Sequence, residues 1–351
     1  MPVVPYRPEH EPAVAAFNER LRHGGSDFSF RPSAPGAADT WAAYVATDGD
    51  AVRGGYIAVP HPFVVGTEES TVHHLKLPLS EGSVDPAYNA IGVQLLVDAQ
   101  RRHPLLFALG MGGRANPLPK MLESLRWRLE DGRFFFRVQR PARFLREVAF
   151  LRTSPGRRLL LDVAAYSGLG LGILPFHASR DRMLVRRRRS EESTSPGPWC
   201  DHVWDRGRAT YGFAMRRDHS RLAELYPEPR FLHVRVRDRD TVVGWAVMLD
   251  TQLHGHKQFG GMRLGSIVDA FAAPDGEAHV VAAVTRVLRR RGADLVVTNQ
   301  TAPAWCRAML ANGYLEGPSN YTLALSKKLA ARVGAGAIHV TRGDGDGPIN
   351  L

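Results

Sequence analysis

Apolar residues at Val14, Phe17 and Leu21 recur at spacings of three and four, which predicts a helix after a strand start within residues 6–22. A Pro/Gly-rich loop over 30–38 closes it. Two β-rich runs, 41–47 and 54–59, flank Asp48-Gly49-Asp50, a strong hairpin signal. Residues 71–79 alternate apolar and polar, as a half-buried strand does. Then come a helix pattern over 93–102, a buried strand over 105–109, a glycine turn over 110–116, a helix over 118–125 and a strand over 134–138. The second half repeats this order with little identity. It predicts a helix at 218–226, a hairpin of 231–237 and 241–249 around Asp238-Arg239-Asp240, and a strand at 264–272. An amphipathic helix at 278–290, a strand at 294–298, a helix at 303–311 capped by Asn312-Gly313, and a last strand at 321–326 complete it. Such an order predicts an α/β protein of two units, each a mixed, mostly antiparallel sheet flanked by helices. The expected partition is 1–145, a connector at 146–200, a second unit at 201–330 and a tail at 331–351.

The stretch from Val84 to Leu96 organises the first unit. A strand ends at a Pro-containing turn that feeds an apolar helix, leaving backbone amides and the positive end of the helix dipole to face an anion. Gly92 is the expected point of closest approach. Asp85-Pro86-Ala87-Tyr88-Asn89-Ala90-Ile91-Gly92-Val93-Gln94 resembles the acyl-CoA pyrophosphate loop of the GNAT acyltransferases, V-x-P-x-(Y)-R/Q-x-x-G-x-G/A. Asn89 stands where that family prefers Arg or Gln, and Gln94 where it prefers Gly or Ala. The order of elements is similar too, over most of the chain as two tandem units. The resemblance implies an acyltransferase using acyl-CoA, with Asn89, Ala90, Ile91, Gly92, Val93, Gln94 and Asn116 as cofactor-binding candidates. It further implies acceptors of the amine or hydroxyl class, such as a small molecule or a saccharide surface-polymer precursor. A similarity to Fem-type aminoacyltransferases opens an alternative in which the donor is aminoacyl-tRNA; a non-catalytic binding protein that has kept the fold is another.

Composition bears on partners. The chain has 351 residues, 44% of them hydrophobic, enough for two cores, and a net charge of +11 with pI near 10.1. A basic surface suits CoA phosphates, anionic lipid headgroups or nucleic acid. Cys200 and Cys306 stand far apart without metal-site spacing, so neither a disulfide framework nor a metal is expected. The N-terminus lacks a secretory pattern, and a cytoplasmic setting is the expectation. The apolar run at 159–174 is shorter than the roughly 20 residues that span a bilayer, which favours an interdomain helix over a peripheral membrane anchor. Basic residues follow it through Arg186–Arg189, a run read as solvated. The Gly/Asp tail has no distal carboxylate for an EF-type calcium loop and is expected to cap.

Acyl transfer to an amine needs a bound thioester, loss of a proton and a stabilised oxyanion. In the GNAT family a bulge amide on the strand before the phosphate loop binds the acyl carbonyl; the resemblance places it near 79–82. Glu81 beside it is the base candidate, with His74 on the preceding strand, where His73 and His74 point to opposite faces. Asp269, a carboxylate within the apolar run Ile267-Val268-Asp269-Ala270-Phe271, is an acceptor-binding candidate. The family's tyrosine acid falls on Leu122 in the first unit and Met309 in the second, neither of which can donate a proton. Asp275 and Glu277 replace the phosphate turn of the second unit, which is therefore not expected to bind CoA in the usual manner. No Ser-His-Asp spacing, Walker loop, H-E-x-x-H or dinucleotide fingerprint occurs.

Overall fold

A computed structural model describes residues 1–32, 41–148, 188–193, 195–227 and 229–345. The apolar run at 159–174 lies outside the described residues, as do Arg186 and Arg187 of the basic run and the tail beyond 345. The chain divides into two compact units, Met1–Asp131 with Asn320–Ala335, and Gly132–Ser319 with Gly336–Leu351. This division differs from the expected one because it follows strand partners and not chain order: the end of the last long strand completes the first unit.

In the first unit, β1 (Val3–Pro5), β2 (Ala42–Asp48), β3 (Ala51–Val65) and β4 (Glu68–Ser80) run antiparallel in sequence order. The Asp48-Gly49-Asp50 turn works because Gly49 takes φ 57°. β5 (Leu106–Leu109) lies parallel to β4, and β13 (Leu315–Leu325) pairs antiparallel with it from Leu323↔Leu109 to Leu325↔Phe107. The period of α1 (Glu11–His23) puts Val14, Phe17 and Leu21 on one sheet face with Phe30, Val45, Val52 and Ile57. α2 (Asn89–Arg102) and α3 (Pro117–Ser124) cover the other face, where Ile91, Leu95 and Leu96 pack with Leu75, Leu106, Ala108, Leu122 and Trp127. α9 (Lys327–Val333) follows β13.

The second unit has its own strand order. β6 (Arg128–Val138) pairs antiparallel with β12 (Leu295–Gln300), β12 lies parallel to β11 (Arg263–Ala272), and β10 (Thr241–Gln252), β9 (Leu232–Asp238) and β7 (Arg188–Ser193) continue antiparallel. α7 (Glu277–Arg290) buries Val280, Val284, Val287 and Leu288, and α8 (Pro303–Ala311) buries Trp305 and Met309. The predicted helix at 218–226 is α6 (His219–Leu225), and short elements that periodicity cannot signal complete the unit: α4 (Pro141–Glu147), α5 (Trp199–Gly207), β8 (Phe213–Met215), and β14 (Ile338–His339) parallel to β8. Among the described residues no helix is long and apolar enough to cross a membrane.

Candidate active site

Strand β4 carries a bulge. Its register against β3 runs from Gly55↔Leu79 to Ile57↔Lys76, so Leu77 and Pro78 face the single residue Tyr56. Leu77 sits at φ 45°, a left-handed conformation that costs a leucine about 1 kcal/mol or more and marks a strained point. The bulge thus falls at Leu77–Pro78, just ahead of the expected 79–82, and of its two residues only Leu77 carries an N–H. Parallel pairing to β5 begins at His73↔Leu106 and ends at His74↔Phe107, while β4 continues to Ser80 and β5 to Leu109. Beyond that rung the two strands make no further pairing, which defines a wedge between them on the sheet face that α2 and α3 cover.

At the mouth of the wedge the chain makes two 3₁₀ turns, Glu81–Ser83 and Pro86–Tyr88, before α2. These turns use amides that the sequence leaves open. Gly82 N–H donates to Ser80 Oγ (3.1 Å), Ala87 N–H to Asp85 Oδ1 (2.9 Å) and Tyr88 N–H to the Asp85 carbonyl (3.1 Å). Asn89 and Ala90 are exposed, Ile91 is buried in the core, Val93 faces solvent, and Gln94 donates to the carbonyl of Met1. A Cβ on Gly92 would lie 2.9 Å from Cε of Met121 on α3 and 3.8 Å from Cβ of Ser80. Asn116 stands at the N-cap position of α3 but makes no cap bond; its amide donates to the Met111 carbonyl (3.0 Å) and braces the 111–116 turn. Leu122 is fully buried in the core.

The candidate bases are differently placed from expectation. Glu81 is 3% exposed, and both its oxygens accept from guanidinium groups: Arg20 Nε at 2.8 Å and Nη2 at 3.2 Å, and Arg53 Nη1 at 3.1 and 3.2 Å. It joins α1, β3 and the turn rather than facing a substrate. His74 is 2% exposed and stacked on Phe107, ring centroids 4.6 Å apart and 10° from parallel. Burial without charge compensation pulls its pKa down to about 3, too low for a base near neutrality. His73 does point the other way, its ring 4.2 Å from that of His103, and burial lowers it to about 4. Periodicity gave no sign of the buried Asp98, which accepts from Tyr56 Oη (2.9 Å) and Arg102 Nε (2.7 Å) and ties α2 to the sheet.

The second unit repeats the bulge and the wedge, then closes the wedge. β11 bulges between Val247↔Asp269 and Met248↔Ile267, and its pairing with β12 stops at Ser266↔Val297. Residues 338–344 lie across the gap. Thr341 bridges to Gln300, Thr301 Oγ1 donates to the Ile338 carbonyl (2.8 Å), His339 Nε2 meets the Ala270 carbonyl (3.0 Å) and Arg342 Nε donates to Asn299 Oδ1 (3.0 Å). Asp269 belongs to this seal. Fully buried Arg217 donates to Asp269 (Nε, 3.1 Å) and to Asp344 (Nη2, 2.6 Å), while Tyr226 Oη and Thr341 Oγ1 also donate to Asp269, at 3.1 and 3.0 Å. Burial raises the Asp344 carboxyl above the ordinary range, against the pull of Arg217. An open cavity of about 430 Å³ lies instead at the start of α7, between Asp275, Glu277 and Arg307 above an alanine floor that includes Ala304 and Ala308. Burial raises the pKa of Glu277. Met309 is fully buried. Among the described residues no cluster of three His, Cys, Asp or Glu could hold a metal, and both cysteines are free and buried.

No protein-family model matches the chain. No curated protein matches it either. Solved structures do: a protein of Enterococcus faecalis V583, described as a probable N-acyltransferase, superposes with a TM-score of 0.53 at 8% identity over 94% of this chain and 73% of that one. The two share a fold. N-myristoyltransferase of Saccharomyces cerevisiae, solved with bound myristoyl-CoA, is more distant, with a TM-score of 0.49, 10% identity, and 92% and 77% of the two chains covered.

Proposed function

We propose that the protein transfers an acyl group from acyl-CoA to an amine or hydroxyl acceptor, with the first unit holding the donor. The observation that carries this reading is the bulge at Leu77–Pro78 beside the end of pairing at His74↔Phe107. There the thiol arm would lie along the open strand edge, with its carbonyl oxygen at the Leu77 and Leu79 amides. The acceptor's lone pair attacks that carbonyl, the amides hold the oxyanion, collapse breaks the C–S bond, and the proton lost by the acceptor passes through water to the departing thiolate. Positioning supplies most of the rate, because a thioester is already activated. Asn89, Ala90, Gly92 and Gln94 would line the diphosphate approach. The second unit reads as a tandem GNAT-like unit that holds no CoA, its wedge being taken by residues 338–344.

A second reading, a GNAT-fold protein that binds without catalysis, draws on the engagement of Glu81 by two arginines and on leucine at position 122. Calorimetric titration with acetyl-CoA, a longer acyl-CoA and free CoA tests the donor site. Micromolar binding by the wild type and loss of it in folded Gly92→Asp are expected, since the new carboxylate would repel the diphosphate. Unchanged affinity in that variant would remove the site assignment. Acyl-CoA binding without thiol release in the presence of a panel of amines and sugars would favour the second reading.

A further inference from the structure

The geometry points to Met121 as the gate of the donor wedge, a residue that fills the entrance when no donor is bound and sets how readily one enters. The inference rests on the acyl-CoA reading above. Three elements frame the entrance: the end of β4 at Ser80, the first turn of α2 at Gly92, and α3. One side chain links two of them, and the third stands beside their meeting point. From α3, Met121 lays its Cε so close to Gly92 that a Cβ there would stand 2.9 Å from it, with Ser80 Cβ 3.8 Å from the same point. Leu122, to which the family's spacing assigns the thiolate acid, is locked in the core with Leu75, Leu106 and Trp127. Met121 is only partly buried at the edge of that cluster, so it can leave without opening the core.

Methionine suits such a place. Its unbranched thioether has three rotatable bonds and adapts to an irregular gap at little cost. Gly92 then has two duties: it admits the donor and it seats the methyl group. A donor that binds only when the gate is out has its apparent affinity reduced by the fraction of molecules with the gate out. If that fraction is about one tenth, removing the gate tightens binding roughly tenfold.

The test uses the full chain labelled with ¹³C-methyl methionine, titrated with acetyl-CoA, with Met121→Leu identifying the Met121 signal. The Met121 methyl resonance should shift on binding while that of Met111, in the neighbouring turn, stays. Calorimetry should show Met121→Ala binding acetyl-CoA roughly tenfold tighter than wild type, and Met121→Phe at least tenfold weaker. Wild-type binding with a stationary Met121 signal, or with Met121→Ala unchanged, would overturn the gate and leave the donor reading standing. Failure of the wild type and all three folded variants to bind would remove the donor reading, and the gate with it.

Discussion

Replacing His74 with phenylalanine should make the protein more resistant to acid. The phenyl ring keeps the face-to-face contact with Phe107 and loses no hydrogen bond at Nδ1, which is buried without a partner. In the folded chain burial holds the His74 pKa near 3, whereas in the unfolded chain it returns to an ordinary value of about 6.5. The unfolded state therefore takes up a proton that the folded state refuses. The contribution is present above the unfolded value and is lost as pH falls below it toward the folded one. With those two values, going from about pH 7 to about pH 5 costs the wild type about 2 kcal/mol through this one ring. Urea unfolding at both pH values measures it. The loss in His74→Phe should be smaller by that amount, with a residual acid sensitivity from His73 and His103, whose pKa values burial also lowers. Equal losses in the two proteins would show that His74 is protonated in the fold, restoring it as a candidate proton carrier.

Other substitutions separate structure from chemistry. Glu81→Gln removes the charge that the part-buried Arg20 and Arg53 share, and weakening such charge-assisted hydrogen bonds should cost about 1–3 kcal/mol. Thermal unfolding should register this; a full loss of acyl transfer at unchanged stability would instead mark Glu81 as the base. Arg217→Met leaves Asp269 and Asp344 buried without their cation, and a loss of about 3–5 kcal/mol is expected in denaturant unfolding. Wild-type stability in that variant would mean that the seal of the second wedge is not held by this arginine.

Long periodic segments were legible in the sequence. The heptad-like spacing of Val14, Phe17 and Leu21, the Asp-Gly-Asp turn and the second hairpin all lie where their patterns place them, since each depends on neighbours close in the chain. The bulge was legible only through resemblance, and the end of β4–β5 pairing was not legible, because neither has a local signature. The contents of the wedge were not legible at all. Asp85 and Ser80 cap amides that a motif leaves open for phosphate, and only the turn geometry shows it. Glu81 stands out in the sequence for its place beside the expected acyl-carbonyl site, and Asp269 as a carboxylate in an apolar run, a sound reason to expect a partner. Those partners, Arg20, Arg53 and Arg217, lie 28 to 61 residues away, and nothing in local spacing points to them. The assignment of the thiolate acid to Leu122 counted residues along α3, whereas the side chain that reaches Gly92 is one residue earlier.

The pairing of β5 with the end of β13 has a consequence for synthesis on the ribosome. β5 is complete when Leu109 is made, yet its partner residues reach Leu325, about 216 residues later (325 minus 109). At about 5–20 residues per second the nascent chain carries that open strand edge for roughly 10–40 s. A bare edge is a template for pairing with other chains. The first unit is thus begun first yet stays open until residues 320–335 are made, and a stop codon after Ser319 would leave its sheet unclosed while sparing all of its own N-terminal sequence.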